Sequence, residues 1–435
     1  MEWQRKPPVL YGWVILCAGL WVTLVLFGLT NAFSVFFKPL SVEFGWDRGV
    51  TSLAYSISWL SFGVLSIGAG RLVDRYGPRA VMLGGLGIFV VGTLLLSQIR
   101  SLWQLYVIFG VVLSIGRAAN LIPLITTVLG WFNTRRGLAL ALAQSQGVGT
   151  VLMVPLAAWL IAQYGWRFSY TVLGVFILVT AAPLLLLIRQ APGGARGAGA
   201  RVPSRPSEPA QSLEPQDWTL RQALRSHTFW VANAIVFCCC TCHSVLLLHL
   251  INFFTDQGMP ASHAATIFAV ISGSAMVGKL CNGALADRIG GRLAITLFLG
   301  LQTAMVPWFY GTWPVWGYWL IGLLFGLGMG GPMPTYALLF REFFGQRAIG
   351  AILGVFTAMY STGMAVGGYM GGVLHDYADN YLAAFGLSIC AGLLATGLTF
   401  FLRPPRALPP TPRRDPHALP APAFGGPSVV RPSLG

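Results

Sequence analysis

Charge is what this chain lacks. Only 9% of its 435 residues are Asp, Glu, Lys or Arg, against roughly a quarter in soluble globular proteins. Beside 55% hydrophobic residues, that deficit excludes the string of soluble domains that length alone suggests, at about 150 residues each. A disulfide framework is missing too. Of seven cysteines, four crowd together at Cys238, Cys239, Cys240 and Cys242, with His243 beside them. Consecutive helical residues point about 100° apart and do not converge on one ion, so no metal site is expected there. The apolar segments hold no Ser/His/Asp, Cys/His or paired-carboxylate constellation, and the glycines lack a phosphate-loop pattern. Neither an enzyme nor a cofactor is expected.

Long apolar runs are what the chain has instead. About twelve recur, near 11–37, 50–70, 80–98, 103–130, 137–162, 167–189, 228–254, 263–285, 292–311, 315–340, 348–374 and 382–402, and a crossing needs about 20 residues. They are continuously apolar rather than alternating, so they read as helices and not barrel strands. The fold class expected is an all-α membrane protein with the lipid bilayer as its partner. The formal charge of +15 does not point to nucleic acid. With the N-terminus in the cytoplasm and sides alternated, 22 of the 28 basic residues fall on the cytoplasmic side. Lys38, Arg48, Arg100 and Arg167 fall outside, and Arg117 and Lys279 within helices. This is the positive-inside pattern. It predicts a multi-pass plasma (inner) membrane protein with both termini cytoplasmic. Arg5 and Lys6 precede an apolar run too long for a signal peptide, so the first helix is expected to be retained.

The chain also repeats itself. GRLVDRYGPR at Gly70–Arg79 returns as GALADRIGGR at Gly283–Arg292, with Asp74 and Asp287 213 residues apart. WFNTRRG from Trp131 and FFGQRAIG from Phe343 echo at nearly the same offset. Two echoes at one offset predict two six-helix bundles in the same orientation, a layout that puts the substrate site near the bilayer midplane between them. The domains expected are 1–190, a first bundle; 191–226, a cytoplasmic linker ending in a short surface helix; 227–403, a second bundle; and 404–435, a disordered tail. The linker is rich in Gly, Ala, Pro, Arg and Ser and has nothing to build a core from.

The doubled G-x-L-x-D-R-x-G-x-R resembles the signature loop of the major facilitator superfamily, and Gly165-Trp166-Arg167 resembles another of its recurrent features. The resemblance implies two six-helix bundles that rock about a central site. Gly70, Gly77, Gly283 and Gly290 are expected to permit tight turns, with Asp74 and Asp287 accepting hydrogen bonds at neighbouring helix N-termini. Arg75, Arg79, Arg288 and Arg292 would hold those turns at the cytoplasmic face. All ten are assigned to gating.

A charge at mid-bilayer costs about 2.5–3.5 kcal/mol on insertion scales. No carboxylate falls mid-helix, so Arg117 and Lys279 have no evident partner in the membrane. Two cations without a fixed anion predict an anionic substrate. Asn120 stands three residues after Arg117 and Asn282 three after Lys279, so each cation is expected to share a helix face with an amide. Tyr336 follows Gly330-Gly331-Pro332-Met333-Pro334, where a helix break would aim the phenol inward. His249 is a candidate proton carrier, as is Lys279. Asn31, Gln144 and Tyr360 are weaker polar candidates. Lys38 either snorkels to the interface or draws anions to the entrance.

Within the superfamily, the first and eighth spans resemble the monocarboxylate transporter group and its bacterial relatives, including oxalate–formate exchangers. In that group a helix-8 arginine four residues before the loop glycine binds the substrate carboxylate; Lys279 holds that place before Gly283. Lys38 in FFKPL and Tyr336 resemble further family residues. Three departures stand out. Ala275 replaces the usual proton-accepting aspartate, lysine replaces arginine and loses its planar fork, and no basic residue lies in 348–374. The function expected is secondary transport of small organic anions, monocarboxylates of lactate or pyruvate type, coupled to protons, by a monomer. The alternative is a dicarboxylate or oxalate/formate-type exchanger using Arg117 and Lys279 as paired clamps.

Overall fold

The computed structural model describes residues 9–132, 139, 142–189, 218–345 and 348–405. Most of the predicted linker, nearly all of the predicted tail and residues 133–137 of the WFNTRRG echo lie outside the described residues. The first half runs α1 (Val9–Asn31), α2 (Phe33–Phe44), α3 (Arg48–Tyr76), α4 (Pro78–Leu96) and α5 (Leu102–Leu105). A π-helical stretch (Tyr106–Val112) follows, then α6 (Leu113–Trp131) and α7 (Gly149–Leu186). The second half begins with α8 (Leu220–Ala223), α9 (His227–Asp256), α10 (Ala261–Ile289), α11 (Gly291–Met305) and α12 (Val315–Gly330). It ends with α13 (Pro332–Phe344), α14 (Ile349–Ala378) and α15 (Leu382–Leu398).

Among the described residues, ten helical stretches are long and apolar enough to cross a membrane. One of them, around α7, is two spans joined at Gly165, whose φ of 78° and ψ of 165° interrupt the helix. A further crossing is shared by α12 and α13, which meet at Gly331–Pro332 because proline cannot donate to the preceding turn. Among the described residues the count is therefore twelve, as the apolar runs predict.

The repeat is written in the backbone. α3 and α10 each hold 29 residues, and both their ends are offset by 213. Left-handed backbone recurs on the same offset. Gly45 pairs with Gly258 and Gly77 with Gly290 at 213 residues, and Gly165 pairs with Asp379 at 214. Gly77 (φ 78°, ψ 157°) and Gly290 (φ 87°, ψ 145°) have closely similar angles. Only glycine enters this region without cost, so these residues end α3 and α10. Gly70 and Gly283 do not turn. Both lie inside helices with open space around them, a correction to the expectation. A helical glycine costs only about 1 kcal/mol, and the helix runs on to the next residue that can take positive φ.

The two halves meet along α3 and α14. Ser52 Oγ donates to Tyr369 O (3.4 Å) and Ser56 Oγ to Ala365 O (2.6 Å). A Cβ on Gly372 would stand 2.5 Å from Ser52 Oγ and 2.6 Å from Arg48 O, so side chains are absent where the backbones touch. The seam runs from Arg48 to Gly63, whose nearest neighbour is Ser361. Beyond it, Val64 and Ile67 are 71% and 70% exposed. The halves are thus closed at the end where α2 meets α3, opposite the two D-R-x-G turns.

Candidate functional site

Arg117 is wholly buried in α6. The π-helical stretch just before it is a form often found at functional places. Ser114 Oγ donates to Gly110 O (2.8 Å) and lies 3.1 Å from Ser58 Oγ. Arg117 Nη2 donates to Ser58 O (3.0 Å), Ser58 Oγ (2.7 Å) and Ser114 Oγ (3.0 Å). Its Nε and Nη1 have no partner. Its Cζ lies 5.3 Å from the Phe27 ring, 5.5 Å from Trp59 and 5.1 Å from Phe62. Ring faces attract a desolvated cation by about 2 kcal/mol without neutralising it. Among the described residues, no carboxylate pairs with Arg117.

The cluster reaches the second half. Trp59 meets Tyr360 with ring centres 5.5 Å apart, and Tyr55 packs on Gly368. Near this seam the Trp59 Nε1, Tyr55 hydroxyl and Ser361 Oγ are buried without hydrogen-bond partners. Each is able to donate. Tyr55, Ser58, Trp59 and Phe62 are residues that sequence reasoning missed. Their i, i+3, i+4, i+7 spacing on α3 was the signal.

Other predicted residues disperse. Asn120 Nδ2 donates to Gly116 O of its own helix (2.8 Å) and lies against Gly85 of α4, away from the rings around Arg117. Asn282 accepts from Thr335 Oγ1 (2.9 Å), while the neighbouring Lys279 is half-buried and reaches across to Gln144 O (3.4 Å). The shared face of cation and amide is thus not kept, since residues three apart on a helix still diverge by about 60°. Gln144 itself is exposed, and Asn31 Nδ2 donates to Thr150 Oγ1 (2.9 Å) within the first half. Tyr336 is buried against Phe356, its hydroxyl beside the Cys239 thiol. His249 is buried, its Nε2 2.8 Å from Gly368 O and its ring against Phe37 and Tyr381. Of these, Tyr360 joins the aromatic cluster around Arg117, its ring centre 5.5 Å from that of Trp59.

At the closed end Lys38 Nζ pairs with Asp256 (2.7 Å) and Arg48 pairs with the same carboxylate (2.6 Å). Lys38 therefore bridges the halves instead of snorkelling. Glu43 accepts from Trp166 Nε1 (2.5 Å) and from Arg167, which ties the Gly165-Trp166-Arg167 bend to α2. At the opposite end Arg75, Arg79, Arg288 and Arg292 are exposed. The side chains of Asp74 and Asp287 are not among those described.

Residues 19–368 match the family model described as Major Facilitator Superfamily. The chain belongs to this superfamily. Among relatives of this superfamily member, monocarboxylate transporter 13 of Bos taurus is 27% identical over 415 residues, covering 92% of each chain. An uncharacterized MFS-type transporter of Bacillus subtilis, YcxA, is 27% identical over 381 residues, 82% of this chain and 87% of that one. Monocarboxylate transporter 4 of Rattus norvegicus is 31% identical over 280 residues, 61% and 55% of the two chains. Two solved structures share the fold. The nucleoside transporter NupG, solved as a point mutant, has a TM-score of 0.71 at 11% identity, over 89% of this chain and 98% of that one. A bacterial homolog of the human lysosomal transporter Spinster, inward-facing and unoccupied, has a TM-score of 0.67 at 15% identity, over 92% and 95%. The protein is accordingly a multi-pass Major Facilitator Superfamily transporter.

Proposed function

We propose that this transporter moves small organic anions, monocarboxylates of lactate or pyruvate type, by alternating access coupled to protons. One observation carries the reading. Arg117 is a fully buried guanidinium with two donor nitrogens unpaired and, among the described residues, no protein carboxylate to neutralise it. An unpaired buried cation is costly, and a carboxylate would complete its fork with charge-assisted hydrogen bonds. The Tyr55, Trp59 and Ser361 side chains near the seam add groups able to donate to negative charge. Relatives named as monocarboxylate transporters support the substrate class.

Of the two proton candidates, Lys279 fits better than His249, because it is half-buried at the junction of the halves while His249 is sealed and already bonded to Gly368. With the termini in the cytoplasm, the closed end is the outer one. Loading of Arg117 removes the charge that resists closing the halves around the site.

The alternative, a dicarboxylate or oxalate/formate-type exchanger, draws support from Lys279, whose bond to Gln144 O is long at 3.4 Å. Under the 213-residue repeat, however, Lys279 corresponds to Ser66. That position is about 12 Å along α3 from Ser58, which holds Arg117. A small dicarboxylate does not span that gap.

The test is a thermal-shift screen of purified protein against small carboxylates, repeated on Arg117→Ala. Ligand at a hundred times its Kd should stabilise the parent by about 2.7 kcal/mol and leave the variant unmoved. Equal shifts in both would remove Arg117 from the site.

A further inference from the structure

The closed end carries a feature that the binding site does not need. α3 begins after Asp47, which has the extended backbone of an N-cap but makes no side-chain cap. The cap comes from the other half. Asp376, in the last turn of α14, accepts the backbone N–H of Arg48 (3.0 Å) on one oxygen and that of Gly49 on the other. A Cβ on Gly49 would stand 2.9 Å from that second oxygen, so glycine is what lets the carboxylate seat. One acid thus takes two orphan donors of a 29-residue helix that belongs to the opposite bundle.

We propose that Asp376 is a proton-binding latch. Ionised, it caps α3 and holds the closed end shut. Protonated, it loses the charge that the two N–H groups and the helix dipole favour, and this end is released. The carboxylate gains one proton on an oxygen and no covalent bond breaks.

The surroundings fit that role. The groups facing Asp376 are Arg48 on α3, Asp256 and His249 on α9, and His375 on α14 itself, with His375 Nδ1 3.6 Å from Asp376. Tyr381, which bonds Arg48, follows in the next loop beside Asp379. Arg48 and Lys38 share Asp256, so they keep a counter-charge when Asp376 is neutral, and Asp376 is the acid whose loss leaves N–H donors bare. A cleft of about 350 Å³ lined by Arg48, Asp256, His375, Asp379 and Tyr381 adjoins the latch, giving protons a way in.

The inference rests on the alternating-access reading but not on the substrate, so its test uses none. Cys17, Cys281 and Cys390, the exposed cysteines among the described residues, are changed to serine. Ser52, buried in the seam, is changed to cysteine, and its labelling by a maleimide is followed in proteoliposomes. Acidification from about pH 7 to about pH 3 should raise the labelling rate of the parent, taken relative to that of a free thiol at the same pH because the thiolate is the reacting form, by up to about tenfold, the measure of one lost charge-assisted contact. Asp376→Asn should label at the fast relative rate at both pH values. Asp256→Asn should keep the pH dependence. Should Asp376→Asn fail to fold, Gly49→Ala, which displaces the same carboxylate, should give the same fast and pH-flat labelling. A parent rate that ignores pH, or an Asp376→Asn rate and slope equal to the parent's, would overturn the latch and leave the organic-anion assignment standing.

Discussion

The guanidinium carbon of Arg117 lies 5.5 Å from the centre of the Trp59 ring, and that ring meets Tyr360 of the opposite half edge-on. A charge belonging to one bundle is therefore one aromatic ring away from the other. Movement of the bundles changes what surrounds it.

Replacing this charge should separate stability from binding. Arg117→Met removes a buried cation whose two free nitrogens pay desolvation without a partner, so the unliganded melting midpoint should hold or rise, as for other buried charges exchanged for apolar groups. The carboxylate-induced shift should vanish. Arg117→Lys keeps the charge but loses the planar fork, and affinity should fall about tenfold. A midpoint lowered in Arg117→Met by more than about 1 kcal/mol equivalent would make the guanidinium a structural strut instead.

Proton movement distinguishes Lys279 from His249. Substrate-driven proton uptake into liposomes should be lost in Lys279→Met and retained in His249→Gln, although the latter gives up the contact with Gly368 O and about 1 kcal/mol of stability. Uptake lost in His249→Gln and kept in Lys279→Met would reverse the assignment.

The glycines of the doubled motif should fall into two classes. Gly77→Ala and Gly290→Ala force an L side chain into positive-φ, extended-ψ backbone that only glycine adopts readily, and should cost about 1–3 kcal/mol each. Gly70→Ala and Gly283→Ala sit in open helical positions and should gain up to about 1 kcal/mol. Thermal unfolding of the four variants in one detergent checks this directly.

Closure of the seam between α3 and α14 should depend on packing more than on its ion pair. The Lys38–Asp256 pair is about one-third exposed, and such pairs contribute about 0–1 kcal/mol and are screened by salt. Lys38→Met should therefore raise labelling at Ser52→Cys only slightly. Gly372→Val places carbon atoms where Ser52 Oγ and the Arg48 carbonyl already are, and should prop the seam open with labelling near the maximal rate. Equal effects from the two variants would contradict this ranking.

Much of the architecture was legible because lipid writes it plainly. Twelve apolar runs and a 213-residue echo need no tertiary knowledge. Arg117 was legible for the same reason, since a lone cation in such a run carries a cost that calls for an explanation. Its surroundings were not. Whether Asn120 turns toward Arg117 or back to Gly116 O depends on the rotation of α6 against α4, and a three-residue spacing does not set that. Gly70 was misread as a turn residue because composition shows what a residue permits, not what its neighbours require. Lys38 and Asp256 stand 218 positions apart, and no local pattern joins them.

The trans cap on α3 has a counterpart position in the repeat, and nothing there can serve. Shifted by 214 residues, the offset of the nearby bends at Gly165 and Asp379, Asp376 becomes Ala162, and shifted by 213 Arg48 becomes Ala261, behind Pro260. The repeat thus supplies the turns twice but the fastening once. A protein assembled from two copies of the first bundle would inherit the bends at Gly45, Gly77 and Gly165 in duplicate, yet would hold an alanine where the capping acid belongs. Mirror-like halves in this fold need not share the work of closing evenly, and here one diagonal carries the clasp.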